Sequence, residues 1–110
     1  MGGDMADSSV ICAAIQGRNL IQIYYYDPEP GYRIVQPYTL GYNRANHLML
    51  NGWFIEGASA SGEGPGYRDY LLDKISTVEI LNQHFAQPAP GYVPMGGKKF
   101  QSVLCDLSMY

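Results

Sequence analysis

Charge is scarce in this 110-residue chain: Lys, Arg, Asp and Glu make up 15% of it, against a usual share near a quarter. Basic residues are the poorer half, with seven Lys and Arg against ten Asp and Glu and a net charge of −3. A dedicated duplex-DNA binder normally carries a basic surplus, so bulk electrostatics speak against that role. The low charge also argues against an acidic or basic tail, and a hydrophobic share of 46% excludes a disordered chain. No apolar run approaches the ~18 residues of a membrane span. The start, Met1-Gly2-Gly3-Asp4, lacks a basic region followed by an apolar one, and Ala6 stands where a myristoylation pattern needs Ser or Thr. No signal peptide and a cytoplasmic location are therefore expected.

Cysteine and histidine are as sparse as charge. Cys12 and Cys105 lie near opposite ends of the chain in apolar segments. Two buried, reduced thiols are expected, because free Cys packs as a small hydrophobe. His47 and His84 have no Cys, His or carboxylate at metal-ligand spacing, so neither a metal nor a cofactor is expected. Ser59 and Ser61 sit in a Gly-Ser loop without the strand-turn-helix setting of a nucleophile elbow. Asp69 and Asp73 could form a carboxylate pair, but Asp73 suits a turn before Ile75. No Gly-rich segment follows a strand and opens a helix, so a phosphate-cradling loop is missing. The chain reads as a non-enzyme, and screens for esterase, phosphatase and nuclease activity should be blank.

What is present is strand chemistry and tyrosine. Asp7 or Ser8 can cap a short helix whose apolar stripe is Val10, Ile11, Ala14 and Ile15, with Gly17 as its stop. Strands are predicted over Leu20 to Tyr26, Tyr32 to Tyr42, His47 to Ile55, Tyr67 to Leu72 and Ser76 to Leu81. Pro37 belongs at a bulge or an edge, and Asn43 to Asn46 should close an antiparallel hairpin. Five short strands with hairpin spacing indicate a small antiparallel barrel or curled sheet, with no helix longer than two turns between Leu20 and Leu81. Pro-Gly-Tyr recurs at Pro30, Pro65 and Pro90, each copy marking a turn that launches a segment. Phe100, Val103, Leu104 and Leu107 fall at helical spacing, so a short docking helix is expected, with a terminal strand as the competing reading. The organisation is then a disordered 1–6, a domain over 7–85, and a Pro/Gly-rich tail over 86–110.

Ten Tyr and one Trp exceed what a small core needs. With Ile21 and Ile23 inward, Tyr25 joins the core while Tyr24 and Tyr26 point out. On the third strand Leu48, Leu50 and Phe54 share one face, and His47, Met49, Asn51 and Trp53 share the other. That second face mixes aromatic and polar groups as a recognition surface does, the alternative being a packing layer under the helix or a subunit contact. Arg33 and Arg68 lie on strands, and an Arg beside an aromatic ring suits an anionic or nucleotide-like ligand. Ordinary surface bridges to Asp69, Glu79 or a neighbouring carboxylate are the competing reading.

Taken in order, Ile11 to Tyr26 (ICAAIQGRNLIQIYYY), Arg33-Ile34-Val35-Gln36-Pro37-Tyr38, His47-Leu48-Met49-Leu50, Gly57 to Gly62, Pro65-Gly66-Tyr67-Arg68 and Tyr70 to Ile75 resemble the WYL domain. The likeness is greatest to the small stand-alone WYL-like proteins of bacteria. The Trp-Tyr-Leu triplet of that family falls on His47-Leu48-Met49, an Arg common in its fourth strand falls on Leu71, and the Arg after the Asp is Lys74. The resemblance implies a mainly β fold, a five-stranded antiparallel SH3-like (Sm-like) barrel with a short N-terminal helix. It also implies a ligand-sensing or nucleic-acid-binding regulatory module. Candidate ligand-binding residues are Arg33, Tyr38, His47, Asn51, Trp53, Arg68 and Lys74. Expected partners are a small anionic ligand or single-stranded nucleic acid. A homodimer or protein partner is the alternative, and no membrane is expected.

Overall fold

The computed structural model describes residues 7–27, 29–58 and 64–110. Ser59, Ser61 and the expected disordered stretch 1–6 lie outside the described residues. Helix α1 spans Ser8–Gly17 and is capped by Asp7, whose carboxylate accepts from the Ser9 amide at 2.9 Å. The Ser9 hydroxyl and amide together hold that carboxyl below its ordinary value. The helix stops one residue later than expected: Gly17 is still helical, and Arg18 takes the left-handed conformation at φ 56°. Ile11, Ala14 and Ile15 are fully buried, so the predicted stripe is the docking face. Among the described residues no helix is long and apolar enough to cross a membrane.

Six strands follow: β1 Asn19–Tyr25, β2 Gly31–Asn43, β3 Leu48–Gly57, β4 Gly66–Leu71, β5 Ile75–His84 and β6 Phe100–Asp106. Every pairing is antiparallel, in the order β4-β3-β2-β1-β5 with β6 on β2. The hairpin at Asn43 to Asn46 closes β2 onto β3, with Tyr42 opposite Leu48. Asn43 Oδ1 holds it by accepting from the amides of Ala45 and His47 at 3.0 and 2.9 Å. Two of the Pro-Gly-Tyr copies launch strands, at Gly31 and Gly66. Between Leu20 and Leu81 the described helical structure is one 3-10 turn, Leu72–Lys74.

β2 organises the sheet. Its first half pairs with β1, its second half with β6, and β3 borders its other edge. Proline has no amide to donate, and the β2–β3 register slips between Pro37 and Thr39 as a bulge there requires. Gly52 faces Pro37, and a Cβ on it would sit 2.4 Å from the Gln36 carbonyl oxygen, so the bend needs that glycine. Beyond the bend β1 no longer borders β2, and Thr39 to Asn43 would present unpaired backbone groups. β6 covers that edge. Residues 100–106 are therefore a strand, the competing reading, and not the docking helix, because a free sheet edge outweighs the helical spacing of Phe100, Val103 and Leu104. Asp106, fully buried at the end of β6, accepts from the Thr39 and Tyr92 hydroxyls, and from the Ser108 amide and hydroxyl at 2.9 and 2.6 Å.

Two expectations are corrected here. The sheet has six strands instead of five and is not closed into a barrel: β4 and β5, the ends of its path, do not pair with each other. Side-chain links from Tyr25 reach from β1 to the far edge: its ring meets Tyr70 and its hydroxyl accepts from the Leu71 amide at 2.9 Å. Tyr25→Phe should therefore lower stability by about 1–2 kcal/mol through the stranded amide. A shifted urea midpoint at unchanged slope would show it, and an unmoved midpoint would deny the link any role. The second correction concerns the cysteines, which are not reduced thiols: Cys12 on α1 and Cys105 on β6 form a disulfide with 5.8 Å between their Cα atoms. Both sit in apolar segments as expected, but the docking of β6 beside α1 brings them within the reach that a crosslink needs.

Candidate functional site

Arg33 on β2 is only 4% exposed. Its guanidinium donates to the carbonyl oxygens of Tyr25 at 2.9 Å, Gly31 at 3.1 Å and Glu29 at 2.9 Å, and stands 5.1 Å from the Tyr25 ring centre. The ion pairs among the described residues, Lys74–Asp27 and Lys99–Asp69, leave Arg33 without a carboxylate. A buried cation neutralised by carbonyl dipoles alone is an unusual arrangement, because burying charge is costly unless it is paired. Arg68 on β4 lies 5.3 Å from the Phe54 ring centre and donates to the carbonyls of Tyr67 at 2.9 Å and Gly64 at 3.1 Å.

Tyr70 joins these two arginines. It lies two residues beyond Arg68 and so on the same face of β4. Its ring meets Tyr25 edge-on at 5.0 Å, and its hydroxyl is buried with no hydrogen-bond partner among the described residues. Burial pushes the Tyr70 phenol up to about 12, against the opposing pull of Arg33 and Arg68. The hydroxyl thus stays a neutral donor at physiological pH, within the field of two guanidinium groups. Lys74 is close by in chain order but is committed to Asp27 at 2.8 Å on the surface. That hydrogen bond raises the Lys74 ammonium above its ordinary value.

The opposite face of β3 and β4 carries an aromatic ledge. Trp53 and Tyr67 meet edge-on at 5.0 Å, and Tyr38, fully buried at the β2 bulge, lies 6.0 Å from Tyr67 and 5.5 Å from Tyr92. Burial pushes the Tyr38 phenol to about 12, and its hydroxyl donates to Gln36 Oε1. Across this ledge runs the segment after β5, held at Ala89: its amide donates to the Tyr38 hydroxyl at 2.7 Å and its carbonyl accepts from Tyr67 at 2.8 Å. Beside it lies a cavity of about 100 Å³ lined by Asn51, Tyr67, Gly91, Val93, Gly96 and Lys99. Asn51 donates to Asp69 Oδ1 at 2.8 Å, and Asp69 also pairs with Lys99 at 2.9 Å. Ligand sites are typically several hundred Å³, so this cavity is of a size for a few waters and not for a nucleotide.

The seven candidates therefore divide. Arg33 packs on the Tyr25 ring that meets Tyr70, Arg68 shares the face of β4 with Tyr70, and Lys74 is paired with Asp27. Tyr38, Asn51 and Trp53 belong to the ledge, on the other side of β3 and β4. His47 is exposed at the start of the hairpin strand, away from both. Strand alternation explains the split, since Tyr67 faces Trp53 and Arg68, its neighbour, turns to Phe54. Tyr70 and Tyr67 are the functional candidates that residue-type reasoning passes over. The period of two would have found Tyr70 beside Arg68. Among the described residues no group of three or more His, Cys, Asp or Glu side chains is gathered as a metal site. Compared with known proteins, the chain matches no family model and no curated protein at a significant level.

Proposed function

We propose that this chain is a non-catalytic, ligand-sensing module of WYL type that takes a small anionic or nucleotide-like ligand at the Arg33–Tyr70–Arg68 corner. One observation carries the reading: among the described residues, a buried guanidinium without a carboxylate and a buried hydroxyl without a hydrogen-bond partner both pack against the Tyr25 ring. An anion at that corner would supply both missing partners, as charge-assisted hydrogen bonds to a phosphate or carboxylate do. The run of antiparallel neighbours β4-β3-β2-β1-β5 supports an SH3-like (Sm-like) arrangement of the first five strands. With a net charge of −3 the attraction is local, so salt should abolish binding readily. As to location, the disulfide fits an oxidising compartment better than the cytoplasm, where thiols are kept reduced.

Calorimetric titration of free nucleotides and short single-stranded oligonucleotides at low salt tests the site. Tyr70→Phe is expected to weaken binding about tenfold while raising the stability of the free protein by about 1 kcal/mol, because an unsatisfied buried hydroxyl is removed. The Arg33→Ala, Arg68→Ala pair should lose binding altogether. If Tyr70→Phe binds like wild type, or nothing binds at low salt, the corner is not a ligand site. A second reading, assembly with another subunit, is favoured by the outer face of β1 and β2. There Tyr26 and Tyr32 are 53% and 56% exposed and their rings meet Tyr24 edge-on at 5.3 and 4.8 Å.

A further inference from the structure

We infer that the Tyr38–Tyr67 ledge is a recognition surface for a proline-rich peptide segment, occupied in cis by the chain's own Gln87–Pro90. The segment Gln87-Pro88-Ala89-Pro90 has little conformational choice. Each Pro fixes its own φ near −65°, and Gln87 and Ala89, each preceding a Pro, are pushed out of the helical region. An extended run is the result, in which Ala89 alone carries a backbone donor between the two prolines. It cannot join a sheet ladder, and it makes no ladder here.

The ledge answers that chemistry group for group. The Tyr38 hydroxyl accepts from the Ala89 amide, and the Tyr67 hydroxyl donates to the carbonyl of the same residue. Both phenols are kept neutral by burial, which raises their titration above the ordinary tyrosine value. The aromatic rings of Tyr38, Tyr67 and Trp53 back this clamp. Aromatic-lined grooves with hydroxyl or indole donors are how proline-rich, pre-extended segments are read generally, because little chain entropy is lost on docking. Pro90 and Gly91 then end the run in a type II turn pattern, with Gly91 at φ 96° and the Tyr92 amide returning to the Ala89 carbonyl at 3.3 Å.

The strap is lightly held in comparison with its flanks. Ala86, Gln87, Pro90 and Gly91 are exposed, while Phe85 before it is buried and Tyr92 after it is anchored on Asp106. Opening therefore needs the two Tyr–Ala89 hydrogen bonds, the 3.3 Å Tyr92–Ala89 turn bond and the partial burial of Pro88 and Ala89 to be given up, with the sheet intact. Segments with few buried apolar contacts open locally at a free energy well below that of global unfolding. A trans segment of the same pattern, Pro-x-Pro in extended form, would then take the vacated clamp. The cis strap acts as its competitor at high effective concentration, so the resting protein binds such a peptide weakly.

The test uses an acetylated, amidated peptide of residues 86–92 added to the full chain. Pro88→Gly with Pro90→Gly, which frees the cis strap, is expected to raise peptide affinity at least tenfold over wild type. Tyr67→Phe in that background should return it to the wild-type level by removing the donor to the carbonyl. Equal affinity of wild type and strap variant, or indifference to Tyr67→Phe, would overturn the inference. So would a concentration-dependent dimer of the strap variant in sedimentation that excludes the peptide, because the occupant would then be a second copy. Should the strap variant fail to fold, amide exchange on wild type decides. The Ala89 amide is expected to exchange by local opening, faster than the β2 amides and insensitive to low denaturant. Exchange of Ala89 only through global unfolding would sink the idea.

Discussion

Opening the Cys12–Cys105 disulfide is expected to lower the unfolding free energy by about 4 kcal/mol. The two cysteines are 93 residues apart in sequence, so the crosslink closes nearly the whole chain into one loop. Constraining an unfolded loop of that size is worth roughly 4–5 kcal/mol in the chain-entropy account, and measured losses run to about 2–5 kcal/mol. A domain of this length has only about 5–15 kcal/mol in total, so the loss is a large fraction. It should appear as a fall in Tm of roughly 15 °C or more. The effect also has a structural focus, because the bond ties α1, whose Ile11, Ala14 and Ile15 are fully buried, to β6 at the other end of the chain. The check is a urea melt of the protein with and without dithiothreitol, alongside a Cys12→Ser, Cys105→Ser variant. Native protein that reacts with a thiol reagent, or reduced protein within about 1 kcal/mol of the oxidised form, would refute it.

The second large effect belongs to Asp106. This carboxylate has no solvent exposure, and four donors converge on it from Thr39, Tyr92 and Ser108. Burial pushes its titration up, but the hydrogen bonds from Ser108, Thr39 and Tyr92 together outweigh that and leave it below the ordinary carboxylate value. Asp106→Ala should cost about 3–4 kcal/mol, since it orphans the fully buried Thr39 hydroxyl and releases Tyr92 and Ser108. Asp106→Asn keeps the shape but turns an amide donor toward donors, and should also destabilise. The sign of the pH dependence follows from the depressed value. The contribution is complete above the ordinary carboxylate range, from about pH 4 upward, and is lost as pH falls through the lower folded value. Wild type should thus lose stability steeply below about pH 4 while Asp106→Asn shows a shallower acid limb. Parallel acid limbs for the two proteins would show that another group sets the transition.

Local chemistry carries most of the fold. Alternation in Leu20 to Tyr26, the Asn43 to Asn46 turn and the proline at position 37 are enough to place β1, β2, β3 and the bulge within a residue or two. These features depend on neighbours in sequence. β6 does not: residues 100–106 become a strand because β2 has bent away from β1 and exposes an edge, a fact of the assembled sheet. The disulfide is hidden for the same reason. Among the candidate residues, Arg33 and Arg68 are legible as strand-borne cations beside aromatic rings. That Trp53 lies on the other side from Arg68 depends on which face of β4 each residue takes. Tyr70 has an identity that says core, and what marks it out is a hydroxyl with no hydrogen-bond partner among the described residues.

The double pairing of β2 has a consequence during synthesis. Residues Thr39 to Asn43 leave the ribosome early, but the strand that covers their edge begins at Phe100, 57 residues after Asn43. At 5–20 residues per second, about 3–11 s pass with that edge open to any other nascent strand. Over the same interval Cys12 waits as a thiol, since its partner at position 105 is made later still. The half of the sheet built on β1 can assemble co-translationally. The half built on β6 closes, and is sealed covalently, only when the last part of the chain arrives.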